Sequence, residues 1–120
     1  CYGRVVKEGF SVEDKRIMSR RSYGVCELCN KKPGGHYHHR KPRRMGGVHG
    51  DADADVNRPS NGLVLCAACH DRVESRRGWA HDNGLLLKAN QRPEETPARL
   101  PRYGGAVLLD DEGNVAWQMW

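Results

Sequence analysis

Aromatic residues are scarce in this chain: eight of 120, with a single phenylalanine, and all hydrophobic residues together make up 38%. Such a composition excludes a large apolar core, so a domain of this size needs support beyond burial. Long apolar runs are also missing; none approaches the roughly 18 to 20 residues of a membrane span, and no charged-then-apolar leader is seen. The expected class is a soluble, intracellular (cytoplasmic) protein with no membrane partner. Acid is scarce where base is dense. Between Lys15 and Arg44 lie Lys15, Arg16, Arg20, Arg21, Lys31, Lys32, Arg40, Lys41, Arg43 and Arg44 against one acid, Glu27, a local balance of +9 in a chain of net charge +5. A solvated face mixes its signs, whereas a one-signed block suits phosphate neutralisation, so a polyanionic partner that presents phosphates is expected.

What the chain does have is cysteine. Four of its five form Cys26-x-x-Cys29 and Cys66-x-x-Cys69, the spacing at which two knuckles supply four thiolates to one zinc ion. Paired disulfides do not fit an intracellular setting, and a redox dithiol would need one knuckle rather than two. A structural Zn2+ is therefore expected. A closed four-thiolate site keeps no open position for substrate, so any catalysis falls to a second metal. Cys1 has no partner knuckle and is read as incidental.

Local signals order the elements. Ser11 caps a helix expected to about Arg21, with Glu13 and Asp14 early and Arg20 and Arg21 late, as the helix dipole favours. A turn at 31–35 precedes a strand from His36 to Arg40, which Pro42 stops. Residues 42–61 have no period and read as a long loop. Gly62 to Cys66 is a second strand, and Ala67 to Arg77 a helix ended by Gly78. Farther on, Gly84 to Lys88 and Val107 to Leu109 read as strands, Pro93, Pro97 and Pro101 as breaks, and 111–114 as a hairpin turn before Val115 to Trp117. The expected division is a basic helical region (1–22), a zinc-stapled core (23–80) and a small β-rich C-terminal extension (81–120).

Between and beside the knuckles stand His38-His39, Asn61, and His70 immediately after Cys69. His-His, loop, Asn, strand and Cys-x-x-Cys-His in that order, over about Gly24 to Arg77, resembles the HNH endonuclease family, most of all its small bacteriophage and actinobacterial members with a four-cysteine staple. The resemblance implies an α+β fold with a ββα-metal, treble-clef-like core and a metal-dependent endonuclease that hydrolyses DNA phosphodiester bonds, nicking one strand to leave 3′-hydroxyl and 5′-phosphate ends. It implies that His39 is the general base and that Asn61 orients the loop and His39. It further implies that His38 and His70 bind the catalytic ion, with Glu74 at i+4 either a third ligand or a solvated acid of the helix face. The carboxylate would favour Mg2+ or Mn2+, and imidazoles alone Zn2+, Ni2+ or Mn2+. Phage terminase or other packaging proteins, in the host cytoplasm, are the partners it suggests.

In a regular strand His38 and His39 point to opposite faces, so a twist or bulge is expected between them. His36 shares the face of His38 and is the substitute ligand, while His49 and His81 read as surface residues. Arg40, Lys41, Arg43 and Arg44, with Arg72 and Arg76 on the second helix, are candidate phosphate contacts. Asp51, Asp53 and Asp55 suggest a calcium loop, but Val56 and Gly62 occupy the positions that need glycine and glutamate. Trp79, Trp117 and Trp120 are read as core or partner-facing. Two other functions use much of the same sequence: a non-catalytic zinc module that binds nucleic acid, and a toxin or restriction nuclease of the same chemistry.

Overall fold

The computed structural model describes residues 9–42 and 56–117. Helix α1 runs over Val12–Ser22 and begins in a capping box, in which the Asp14 amide donates to Ser11 Oγ (3.0 Å) and the Ser11 amide to Asp14 Oδ2 (3.3 Å). It ends at Tyr23 in the left-handed conformation (φ 58°), followed by Gly24 (φ 74°). Both boundaries agree with the expected helix to within a residue.

Strands β1 (His36–His39) and β2 (Gly62–Leu65) form an antiparallel pair in continuous register, from His36 opposite Leu65 to His39 opposite Gly62. Of the twist or bulge expected between the histidines, the bulge is therefore absent. Every residue of β2 is buried. Helix α1 lies directly on it, so close that a β-carbon on Gly62 would meet Met18 Cε at 2.3 Å. Helix α2 (Ala67–Ser75) follows β2, and after a break at Arg76 comes α3 (Arg77–Asp82). One helix ending at Gly78 was expected. The break falls earlier, where the chain turns so that Val73 and Ala80 enter the same core. Gly78 lies within α3, and the left-handed glycine that follows this helix is Gly84 (φ 74°), where a β-carbon would strike the Pro97 carbonyl.

A second antiparallel sheet joins β3 (Ala98–Leu100), β4 (Gly105–Leu109) and β5 (Val115–Trp117) in chain order. The hairpin at 111–114 is held by the Asp110 carboxylate, which accepts from the Glu112 and Asn114 amides at 2.9 and 2.8 Å. Strand β3, between Pro97 and Pro101, stands where only chain breaks were expected. Leu85 to Leu87, expected as a strand, are buried without one, because the Leu85 amide bonds the Ala80 carbonyl and the Leu87 amide the Arg40 carbonyl (both 2.8 Å) in place of a ladder. The described residues form a small α+β fold of three α-helices and two antiparallel sheets. None of its helices is long and apolar enough to cross a membrane.

One apolar cluster takes Cys26, Leu63, Leu65, Cys69 and Val73 together with Leu85, Leu100, Val107 and Leu109, so segments 23–80 and 81–120 share a core. Three charged side chains are buried with it. The Arg21 guanidinium donates to both Glu27 carboxylate oxygens, at 2.7 and 2.8 Å. Arg40, fully buried, donates to the carbonyls of Gly84 (2.8 Å), Ser60 (3.0 Å), Pro93 (3.1 Å) and Thr96 (2.6 Å). Burial, reinforced by the Arg21 charge, pulls the Arg40 pKa down to about 9, which leaves it charged at neutral pH. Arg40 is thus corrected from a phosphate contact to an internal strut, since no ligand can reach it. The basic block loses Arg21 as well, and Arg43 and Arg44 lie outside the described residues. Replacing Arg40 by glutamine should leave buried carbonyls without donors and lower unfolding free energy by about 3 kcal/mol. Urea melts should show it as a reduced midpoint at unchanged m, while exposed Lys31→Gln moves stability by less than about 0.5 kcal/mol.

Candidate active site and metal centre

The first knuckle follows the α1 cap and is folded by backbone bonds from the Cys26 amide to the Lys32 carbonyl (2.8 Å) and from the Asn30 amide to the Cys26 carbonyl (2.9 Å). Asn30 takes the left-handed conformation (φ 59°) that closes this turn. In the second knuckle, Cys66 follows β2 as the N-cap of α2 and Cys69 lies in the first turn of that helix. These long-range placements bring all four sulfurs within 4.8 Å of one another, and none is in a disulfide. Burial raises the Cys29 thiol, but the Lys31 and Lys32 amides and neighbouring thiols outweigh it and bring the pKa to about 6. Burial and the surrounding sulfurs push Cys69 up to about 12. Four crowded sulfurs cannot all ionise without a cation among them, and this donor set fits a tetrahedral metal such as zinc.

A second set of donors lies across β1. His38 and His70 with Glu74 offer ligand atoms within 4.8 Å of one another. Glu74 Oε2 is 3.6 Å from His38 Nδ1 and 3.7 Å from His70 Nε2, the latter pair one helical turn apart on α2. His38 is 3% exposed and its Nε2 lies 2.9 Å from the Leu85 carbonyl. A carbonyl only accepts, so the proton sits on Nε2 and the basic lone pair on Nδ1, facing Glu74. Burial is the main cause of a His38 pKa brought down to about 4; His70, His39 and Arg40 add to it and the Leu85 carbonyl opposes it. The ring is therefore neutral at pH 7, the form that ligates a metal. His36 lies beside the pair, its ring 5.1 Å from that of His70.

His39 turns the other way. Its ring stacks on Phe10 at 4.1 Å and 11°, and its Nε2 lies 2.7 Å from Asn57 Oδ1. Asn57 thereby holds the tautomer whose basic lone pair is on Nδ1. Nothing in the sequence around Asn57 marks it for this role; the bond exists only because the chain returns beside β1. Asn61, the expected partner of His39, is fully buried and bonds backbone: Oδ1 accepts from the Lys41 amide (2.8 Å), and Nδ2 donates to the carbonyls of Lys41 (3.2 Å) and Val56 (2.8 Å). It clamps the two chain segments that flank residues 43–55. His38 and His39 leave opposite faces of β1, yet both line one cleft of about 400 Å3, together with Tyr37, His70, Glu74 and Arg77. Arg77, not singled out from sequence, bonds Glu74 Oε1 at 3.2 Å.

Of the other expected contacts, Lys41 is half-buried, and Arg72 and Arg76 are exposed on α2 and at its end. Arg72 lies over the Trp79 ring, which packs on the core; Trp117 is 60% exposed. Cys1, His49, Asp51, Asp53, Asp55 and Trp120 lie outside the described residues. His81 is half-buried, its Nδ1 without a hydrogen-bond partner among the described residues. No protein-family model, curated protein or solved structure matches the chain.

Two outcomes follow from this geometry. The purified protein should carry one tightly held metal in a thiolate site, and Cys66→Ser or chelation under mild denaturant should remove it together with helical circular dichroism; cobalt replacement should give a tetrahedral thiolate spectrum. Intact helicity after complete metal loss would refute a structural role. His38 is neutral in the fold down to about pH 4, whereas an unfolded imidazole protonates near 6.5. The unfolded chain thus takes up the extra proton, and the stability contributed by His38 is full above about pH 6.5 and lost as pH falls towards 4. Between pH 7 and 4.5, His38→Gln should lose less stability than the parent; equal losses would contradict the assignment.

Proposed function

We propose that the protein is a metal-dependent endonuclease of the HNH type, which hydrolyses phosphodiester bonds in DNA around a ββα-metal core stapled by zinc on Cys26, Cys29, Cys66 and Cys69. The observation that carries this reading is the convergence of His38, His70, Glu74 and His39 on one open cleft, with the His38–His70–Glu74 donor atoms within 4.8 Å of one another. Two antiparallel strands followed by α2 give the element order that such a core requires. A carboxylate beside two imidazoles is a donor set for a divalent ion such as Mg2+, Mn2+, Ni2+ or Zn2+. When bound, that ion supplies positive charge for the phosphate oxygens and the leaving oxygen.

The chain's own residues do the rest. His39 accepts a proton from water at Nδ1 as the water oxygen bonds to phosphorus, and the P–O3′ bond breaks to leave a 5′-phosphate and a 3′-oxygen that takes a proton from solvent. Asn57 keeps the proton on His39 Nε2, and Phe10 stacked on the ring restricts its rotation. His38 is held by the Leu85 carbonyl and Glu74 by Arg77, so the ligands are oriented by bonds outside the metal set. Asn61 acts at one remove, by fixing the backbone of Lys41, next to the strand that carries His39, and of Val56, next to Asn57.

Supercoiled plasmid incubated with the protein and each divalent metal should convert to the nicked form with weak sequence preference, more readily at low salt. His39→Ala should slow nicking about 10³-fold while the thiolate metal and the fold are retained. An active His39→Ala variant, or a parent protein that binds DNA and cuts with no metal, would overturn the proposal.

A further inference from the structure

A polynucleotide that places one phosphate beside His39 carries another on each side of it, and a second cleft adjoins the first. It measures about 330 Å3, is lined by Phe10, Lys15, Gly35, His36, Tyr37 and His39 among others, and shares Tyr37 and His39 with the cleft that holds the metal donors. His39 thus lines both clefts. In the second, Lys15 reaches in from α1 with its Nζ 5.4 Å from the centre of the Tyr37 ring, a distance at which the ring quadrupole attracts the ammonium. That ring is itself fixed: its hydroxyl is 2.8 Å from Ser19 Oγ, and its carbons pack against the Phe10, Met18 and Val64 cluster. The lysine, exposed on α1, thus has a fixed ring beside its ammonium where it lines the cleft. Gly35 lines the cleft beside open space, since a β-carbon there would meet nothing within 4 Å among the described residues. Among the described residues, no acidic one lines the cleft.

We infer that this second cleft is a subsite for the nucleotide next to the scissile phosphate, in which Lys15 neutralises the neighbouring phosphate of the same strand. The inference rests on the nuclease reading for the direction of the strand, and on the cleft's own chemistry for its ligand, a nucleotide phosphate in a polynucleotide. Lys15 contacts no reacting atom; it is a positioning residue that acts on substrate register and affinity.

The experiment compares the parent, Lys15→Gln, Lys15→Arg and, as a charge control away from both clefts, Lys88→Gln. Each is assayed for cleavage of DNA and of bis(p-nitrophenyl) phosphate, a diester with no flanking nucleotide, and for oligonucleotide binding by fluorescence anisotropy across a salt series. Lys15→Gln should raise KM for DNA about tenfold with kcat changed by less than about twofold, so selectivity for DNA over the minimal diester falls by the same factor. Its binding should lose about one unit of salt slope, and Lys15→Arg should restore both. A Lys15→Gln variant that behaves as Lys88→Gln in KM and salt slope would overturn the subsite. So would an equal loss on both substrates, which would place Lys15 at the reacting centre or in the fold. A parent that cuts neither substrate defeats the nuclease reading alone, and the salt slope of oligonucleotide binding by Lys15→Gln then decides the cleft.

Discussion

The buried pair of Arg21 and Glu27 is the joint at which four parts of the chain meet. Besides its two bonds to Glu27, Arg21 donates from the end of α1 to the Pro59 and Gly62 carbonyls at 3.0 and 2.8 Å. Glu27 accepts from the Val64 amide (2.7 Å) and from the Tyr103 hydroxyl, and its own amide bonds the Val64 carbonyl (2.8 Å). Helix α1, the first knuckle, β2 and the C-terminal segment are thereby tied to one ion pair with no exposed side-chain surface. Burial opposes the charge on Arg21, and the adjacent carboxylate more than restores it, so its pKa is raised. Such a pair adds little net stability relative to an apolar substitute, but losing either partner leaves a buried charge, so the arrangement fixes one way of assembling these elements.

The site is built on that joint by two further polar anchors. Arg40 leaves β1 immediately after His39 and binds carbonyls on both sides of the core, which draws residues 84–96 against the strand and sets the Leu85 carbonyl beside His38. Asn61 enters β2 and binds the backbone on both sides of residues 43–55. The histidines are therefore flanked by residues that cannot move without breaking several buried hydrogen bonds. Low dielectric around His38 follows from the same packing and keeps it neutral, while His39, half-buried, lines the same cleft.

Elements governed by neighbouring residues could be read directly. The capping box of α1 needs only Ser11 and Asp14, β1 ends where Pro42 follows, and the 111–114 turn is stabilised by Asp110 a few residues away. The knuckles too are local, since two residues between cysteines suit a single ion, and only their meeting requires the fold. His70 and Glu74 share a helix face by spacing alone. Reading failed where distant partners decide the outcome. Arg40 resembled its basic neighbours until Gly84, Pro93 and Thr96 surrounded it. Leu85 to Leu87 had the composition of a strand, yet α3 and Arg40 took their hydrogen bonds. Asn57 gained its role from His39, which approaches from another segment, whereas Arg77 meets Glu74 at a local i,i+3 spacing.

By itself, then, the sequence determined the ligand types and their spacing, the helix caps and turns, and the positive sign of the block around β1, because each depends on residues within about one helical turn or on composition alone. The tertiary structure decided which of those charges face solvent and which are sealed inside, which amide oxygen meets His39, and that two histidines on opposite faces of an unbroken strand border the same cleft. Those outcomes depend on burial and on hydrogen bonds between segments far apart in the chain, and desolvation turns identical arginines into either a surface cation or an internal strut.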